Sequence, residues 1–188
     1  AASDVYKRQY QINGIWQDVY LLALPKIHIE DVYVKPLVSK NMLEIEVTVQ
    51  NQTAKKAEIQ LQGDIREWMN RAGTDINSAP VPDWTLGNEA LSVAPAKVSV
   101  AAGTSQKVTL QVPVGKDVLK YWTPEHPNLY ALLLSVKNQK QAVDTKYERF
   151  GWREWTLQGT TQCLNGEPYA LHGLSLIHIS EPTRLRCI

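Results

Sequence analysis

Two carboxyl groups held a few ångströms apart can cleave an acetal. One protonates the leaving oxygen, and the other attacks the carbon or activates water. The chain offers several acidic groupings: Glu30-Asp31, Glu44 with Glu46, Asn88-Glu89, and Glu148 and Glu154. All but Asn88-Glu89 sit at solvent-face or turn positions of β-type segments, the ordinary place for a solvated carboxylate. Asn88-Glu89 precedes a strand-like run. His28, His126 and His172 are scattered, with no HxH or HxxxH spacing, so no metal centre is assigned. No serine or cysteine sits in a nucleophile elbow, and no glycine run forms a phosphate loop. The sequence therefore assigns no catalytic, substrate-binding or metal-ligating residue and no cofactor. Trp16, Trp122, Trp152 and Trp155 have faces suited to stacking on sugar rings. Each lies in a segment that joins one structural unit to another, where large aromatics pack interfaces, and interface packing is the reading adopted.

The formal net charge is +1 over 188 residues. No basic stripe is present, which argues against nucleic acid or an anionic membrane surface as partner. No apolar run approaches the roughly 18 residues of a membrane span. Cys163 is the only cysteine outside the C-terminal tail, so no internal disulfide is expected. Asn51-Gln52-Thr53 matches a glycosylation acceptor, but Asn51 ends a strand and the match is read as chance.

The elements are strands. Met42 to Gln50 alternates cleanly, with Leu43, Ile45, Val47 and Val49 on one face and Glu44, Glu46 and Thr48 on the other. Ile27 to Lys35 alternates imperfectly: Ile27, Ile29, Asp31 and Tyr33 fall on one side, and His28, Glu30, Val32 and Val34 on the other. Its β-branched content still favours a strand. Asn51 to Lys55 is a turn, and Ala57 to Leu61 continues with period two. Gly63 to Gly87, rich in glycine and proline, reads as an elaborated connection packed down by Trp68 and Trp84. Ala90 to Val100, Gln106 to Val114, Leu129 to Lys137 and Gln141 to Trp152 are further strands, the last two joined by a turn at 138–140. About seven strands at this spacing, with no amphipathic helix, predict an all-β, immunoglobulin-like sandwich. The predicted core includes Leu43, Ile45, Val47, Val49, Leu110, Val112, Leu132 and Leu134. After the sandwich, Asn165-Gly166 is a two-residue hairpin signal, followed by a short apolar strand to Gly173.

Three blocks carry a resemblance: Gly14-Ile15-Trp16-Gln17-Asp18-Val19-Tyr20-Leu21; Trp122-Thr123-Pro124-Glu125-His126-Pro127-Asn128-Leu129-Tyr130; and Arg149-Phe150-Gly151-Trp152-Arg153 with Leu164-Asn165-Gly166-Glu167-Pro168-Tyr169-Ala170-Leu171-His172-Gly173. They are similar to the patterns G-I-W-R/Q-x-V-x-L, L-W-S/T-P-E-x-P-x-L-Y, R-F-G-F/W-R and L-N-G-x-P-x-x-L-x-G of glycoside hydrolase family 2, which holds β-galactosidases, β-glucuronidases and β-mannosidases. Tyr121 stands where the family usually has Leu, and His172 where it commonly has Arg. The resemblance implies a parent enzyme that hydrolyses β-glycosidic bonds in carbohydrate by a retaining mechanism. It also implies that both catalytic glutamates lie on later strands of a (β/α)8 barrel. Asn88-Glu89 shares only its two letters with the family's acid/base motif.

The domain organisation follows. Residues 10–25 end an N-terminal sugar-binding jelly roll, residues 26–152 form the sandwich, and residues 153–173 begin the catalytic barrel. Residues 1–9 and 174–188 resemble the two orientations of a translated transposon-type sequencing adapter and are set apart from the fold. The expected role is mechanical: a non-catalytic central piece that meets carbohydrate only through the parent's other domains. The competing expectations are an immunoglobulin-like adhesion module and a catalytically inactive carbohydrate-binding relative.

Overall fold

The computed structural model describes residues 19, 21–70, 84–138 and 141–171. The block from Gly14 to Asp18 with Trp16, the turn at 139–140, His172, Gly173 and both tails lie outside the described residues.

The strands are β1 (Ile27–Leu37), β2 (Met42–Asn51), β3 (Ala57–Asn70), β4 (Trp84–Val100), β5 (Thr104–Pro113), β6 (Leu129–Asn138), β7 (Gln141–Phe150), β8 (Trp155–Gln158), β9 (Thr161–Leu164) and β10 (Glu167–Pro168). One 3-10 turn, Val38–Lys40, joins β1 to β2. A three-stranded sheet, β1-β2-β5, faces a four-stranded sheet, β4-β3-β6-β7. Every pairing within them is antiparallel. The fourth strand lies beside the third, so this sandwich differs from the constant-type immunoglobulin arrangement, in which the fourth strand joins the sheet of the first two. A small antiparallel meander, β8-β9-β10, follows.

The core lies where the inner faces meet. Leu43, Ile45, Val47 and Val49 on β2 are fully buried, as are Leu132 and Leu134 on β6, with Leu110 and Val112 on β5 nearly so. The whole predicted set is therefore inside. Each such side chain contributes roughly 1.5–3 kcal/mol relative to exposure. The polar residues between them keep the outer faces in water.

Two readings need correction. On β1 the inward residues are Ile27 and Ile29, then Val32 and Val34. The pairing with β2 shifts between Ile29 and Asp31. Glu30 is the extra residue of a β-bulge, which moves the apolar set from odd to even positions without breaking the strand. The imperfect alternation was the trace of that bulge.

The stretch from Gly63 to Gly87 is also not a connection throughout. β3 runs on to Asn70 and β4 begins at Trp84. Gly63 sits at a register shift, and a Cβ there would lie 2.2 Å from the carbonyl oxygen of Leu133 on β6. Glycine here admits the neighbouring backbone instead of ending the strand. Trp68 and Trp84 do pack down: their rings stack with centroids 4.1 Å apart, with Tyr147 against Trp84 at 5.4 Å. At the other end, β7 stops at Phe150, and Trp152 takes part only in a single parallel bridge to Tyr121.

Candidate functional site

A side-chain network links the described residues where the sandwich meets the meander. Three segments build it. The first is the loop from Leu119 to Asn128. Thr123 and His126 cap one another: Thr123 N–H donates to the His126 carbonyl at 3.0 Å, and His126 N–H donates to Thr123 Oγ1 at 3.0 Å. Asn128 Nδ2 donates to the Tyr121 carbonyl at 2.8 Å. Thr123, His126 and Asn128 thus fold this block on itself. At its end Tyr130 enters β6, and its hydroxyl accepts a hydrogen bond from Lys120 N–H at 2.8 Å. This ties the start of β6 to backbone ten residues upstream, a longer reach than the tyrosine corner of immunoglobulin-like sandwiches makes. Burial raises the Tyr130 hydroxyl above its ordinary value, and the Lys120 amide partly offsets this.

The second segment is the exit from β7. Trp152 is buried, and its carbonyl accepts from Trp122 N–H at 2.9 Å. Gly151 lets the Trp122 ring close over the chain, since a Cβ there would lie 3.0 Å from that ring. The Arg153 guanidinium stands 4.1 Å from the Trp122 ring centroid on a cation–π contact. Glu154 reaches the 3-10 turn: Ser39 N–H donates to Glu154 Oε2 at 2.7 Å, and Ser39 Oγ donates to Oε1 at 3.2 Å.

The third segment is the Asn165-Gly166 turn between β9 and β10. Asn165 has φ 55° and Gly166 has φ 88°, the paired positive values of a type I′ hairpin. Asn165 N–H donates to the Glu154 carbonyl at 2.8 Å, and Glu154 N–H donates to Asn165 Oδ1 at 2.9 Å. Asn165 Nδ2 then donates to the Trp122 carbonyl at 3.1 Å. One side chain thus ties the meander to both other segments.

The acidic groupings are dispersed. Lys35 on β1 bonds Glu44 at 3.3 Å and also Glu46, and Glu46 accepts Lys107 from β5 as well. Lys107 first and Lys35 second hold the Glu46 carboxyl below its ordinary value. A general acid needs the opposite shift. Glu89 is exposed on β4, and Glu30 and Asp31 are exposed at the β1 bulge. Glu148 belongs to β7 and Glu154 to the junction. His28 is buried, with Nδ1 donating to the Pro25 carbonyl at 2.9 Å; His126 is exposed in its turn. The arrangement can fasten two structural units together, and the carboxylates that converge, Glu44 and Glu46, do so on the Lys35 ammonium.

The tryptophans behave unequally. Trp122 and Trp152 are packed within the junction, whereas Trp155 is 43% exposed and meets Tyr169 edge-on at 5.6 Å. The roles of Glu154 and Ser39 were not found in the sequence, because nothing local marks residues so far apart as partners. Asn165 was found only as a turn former.

Among curated proteins, the chain is 26% identical over 167 residues to the β-galactosidase of Priestia megaterium, covering 88% of this chain and 15% of that protein. It is 26% identical over 187 residues to the β-galactosidase of Streptococcus thermophilus, covering 95% of this chain and 15% of that protein. The chain thus spans about 15% of the length of these relatives. Solved structures share the fold. A Bacteroides uniformis β-glucuronidase superposes with TM-score 0.57 at 24% identity, over 80% of this chain and 17% of that one. A β-galacturonidase from Eisenbergiella tayi, bound to galacturonate, gives TM-score 0.58 at 18% identity, over 77% and 22%. Residues 27–153 match the sequence pattern of the family described as Glycosyl hydrolases family 2, and the chain belongs to that family.

Proposed function

We propose that this chain is the non-catalytic central portion of an enzyme that hydrolyses β-glycosidic bonds in carbohydrate with retention. Its work is to hold the domains on either side in fixed relation. The observation that carries this is the junction: a sandwich cross-tied to a meander that presents Trp155, Leu157 and Leu171 to solvent, respectively 43%, 72% and 62% exposed. These residues, with Thr156 and Gln162, line an apolar groove of about 450 Å³. A rigid mount bearing an apolar face suits a neighbouring domain that docks there. Rigid mounting matters chemically, because a displacement of about 1 Å at a reacting group can cost a hundredfold in rate.

On this reading residues 10–25 close a preceding sugar-binding jelly roll, residues 26–152 are the sandwich, and residues 153–173 open the barrel that carries both catalytic glutamates. Family membership supports this over an adhesion module. The test is a panel of aryl β-glycosides offered to the purified chain and to the longer parent polypeptide. The parent is expected to hydrolyse at least one glycoside and the chain none. A parent that binds sugars without turnover would replace the enzyme reading with that of an inactive relative. Turnover by the chain itself, surviving purification and lost on one Asp or Glu substitution within residues 10–173, would overturn the non-catalytic assignment.

A further inference from the structure

We propose that Asn165 is the positioning residue that sets the meander, and with it whatever the meander carries, at a fixed angle to the sandwich; this rests on the mounting role proposed above. Its turn-forming duty needs only a residue that tolerates positive φ, which Asp or Gly would also supply. Its amide does more. The Oδ1 acceptor engages Glu154 N–H, and together with Asn165 N–H on the Glu154 carbonyl it reproduces a two-bond strand pairing between the chain leaving the sandwich and the tip of the meander. The Nδ2 donor goes the other way, to the Trp122 carbonyl in the loop from Leu119 to Asn128. That carbonyl belongs to a residue whose own N–H is bound to Trp152. Asn165 therefore closes a circuit through the junction that needs a donor and an acceptor on one short side chain.

The Ser39–Glu154 contact crosses the same seam independently, at 2.7 Å. It serves as the reporter, since it holds only while Glu154 stays seated. Tyr169 N–H, bonded to the Gln162 carbonyl at 2.9 Å, reports on the meander alone.

The experiment is residue-resolved amide exchange on the whole chain with two variants. Asn165→Asp keeps the turn, as Asp-Gly suits a type I′ hairpin. It also keeps the acceptor for Glu154 N–H, but it sets a carboxylate oxygen against the Trp122 carbonyl. Exchange at Ser39 and Glu154 is expected to rise roughly tenfold or more, while Tyr169 and Leu134 keep their protection. Asn165→Gly, which loses both contacts, is expected to release Ser39 and Glu154 further with the hairpin still formed. Unchanged protection at Ser39 and Glu154 in the Asp variant would overturn the proposal. So would loss of Tyr169 protection in that variant, which would make Asn165 a turn former only. In the parent polypeptide, Asn165→Asp is expected to lower kcat on an aryl β-glycoside at least tenfold with the melting temperature of the sandwich unchanged. A wild-type parent without any turnover would sink the enzymatic reading and leave the exchange result standing.

Discussion

The backbone amide of Ile29 on β1 donates a hydrogen bond of 2.7 Å to Asp144 Oδ2 on β7, across the edge where the two sheets meet. Both strands are bulged there, at Glu30 on β1 and at Val143 on β7. Lys146 Nζ adds a bond to the Glu30 carbonyl at 3.0 Å. The bulges turn two edge strands toward each other, and side chains satisfy backbone groups that a regular ladder would have paired. Replacing Asp144 by Ala leaves Ile29 N–H without its acceptor. The expected loss is about 1–3 kcal/mol, measured by urea denaturation. An unchanged midpoint would show that water replaces the carboxylate freely.

Glu46 makes stability depend on acid. Lys107 and Lys35 hold its folded-state pKa below the ordinary value of 4.5. A lowered pKa means that the ionised form is favoured by folding. The contribution is therefore complete above pH 4.5 and disappears as pH falls through the folded-state value. Wild type and Glu46→Gln should differ in melting temperature at neutral pH and converge in acid. Added salt should shrink the neutral difference, since Lys107 is exposed and Glu46 and Lys35 are only half-buried. A gap that widens in acid would contradict the assignment.

Gly63 should tolerate no side chain. A Cβ at 2.2 Å from the Leu133 carbonyl oxygen meets backbone, which cannot rotate away. Gly63→Ala must separate β3 from β6 or shift their register. A cost of at least about 2 kcal/mol is expected, read from thermal or chemical unfolding. A neutral effect would mean that the two strands lie farther apart than described.

Asn51 is fully buried at the end of β2. Its Nδ2 group is placed to donate to the carbonyls of Lys55, Val100 and Ala101, and its Oδ1 accepts from Thr53 N–H and Oγ1. Asn51→Ala should cost about 2–4 kcal/mol, because several buried groups lose partners together. Asn51→Asp should cost more, since it turns a carboxylate toward three carbonyl oxygens. Equal stability of the two variants would show that the amide donors contribute nothing. The same burial keeps a glycan off this asparagine in the folded chain.

What the sequence determined by itself was whatever depends on near neighbours. The alternation from Leu43 to Val49 is legible because successive side chains on a strand point to opposite faces and only one face is wet. Asn165-Gly166 is legible because two consecutive positive φ angles are a local demand that few residues meet. The tertiary structure alone decided the rest. Glu30 became a bulge because β1 must meet Asp144 and Lys146 of a strand more than a hundred residues away in sequence. Gly63 looked like a breaker because the Leu133 carbonyl that requires it is seen only once β3 and β6 are paired. Asn165 announced a turn and concealed a docking contact, since its amide is spent on Glu154 and Trp122. Periodicity and turn chemistry are written in adjacent residues. A hydrogen bond across a seam is fixed by whichever backbone the fold sets opposite, and no local pattern encodes that.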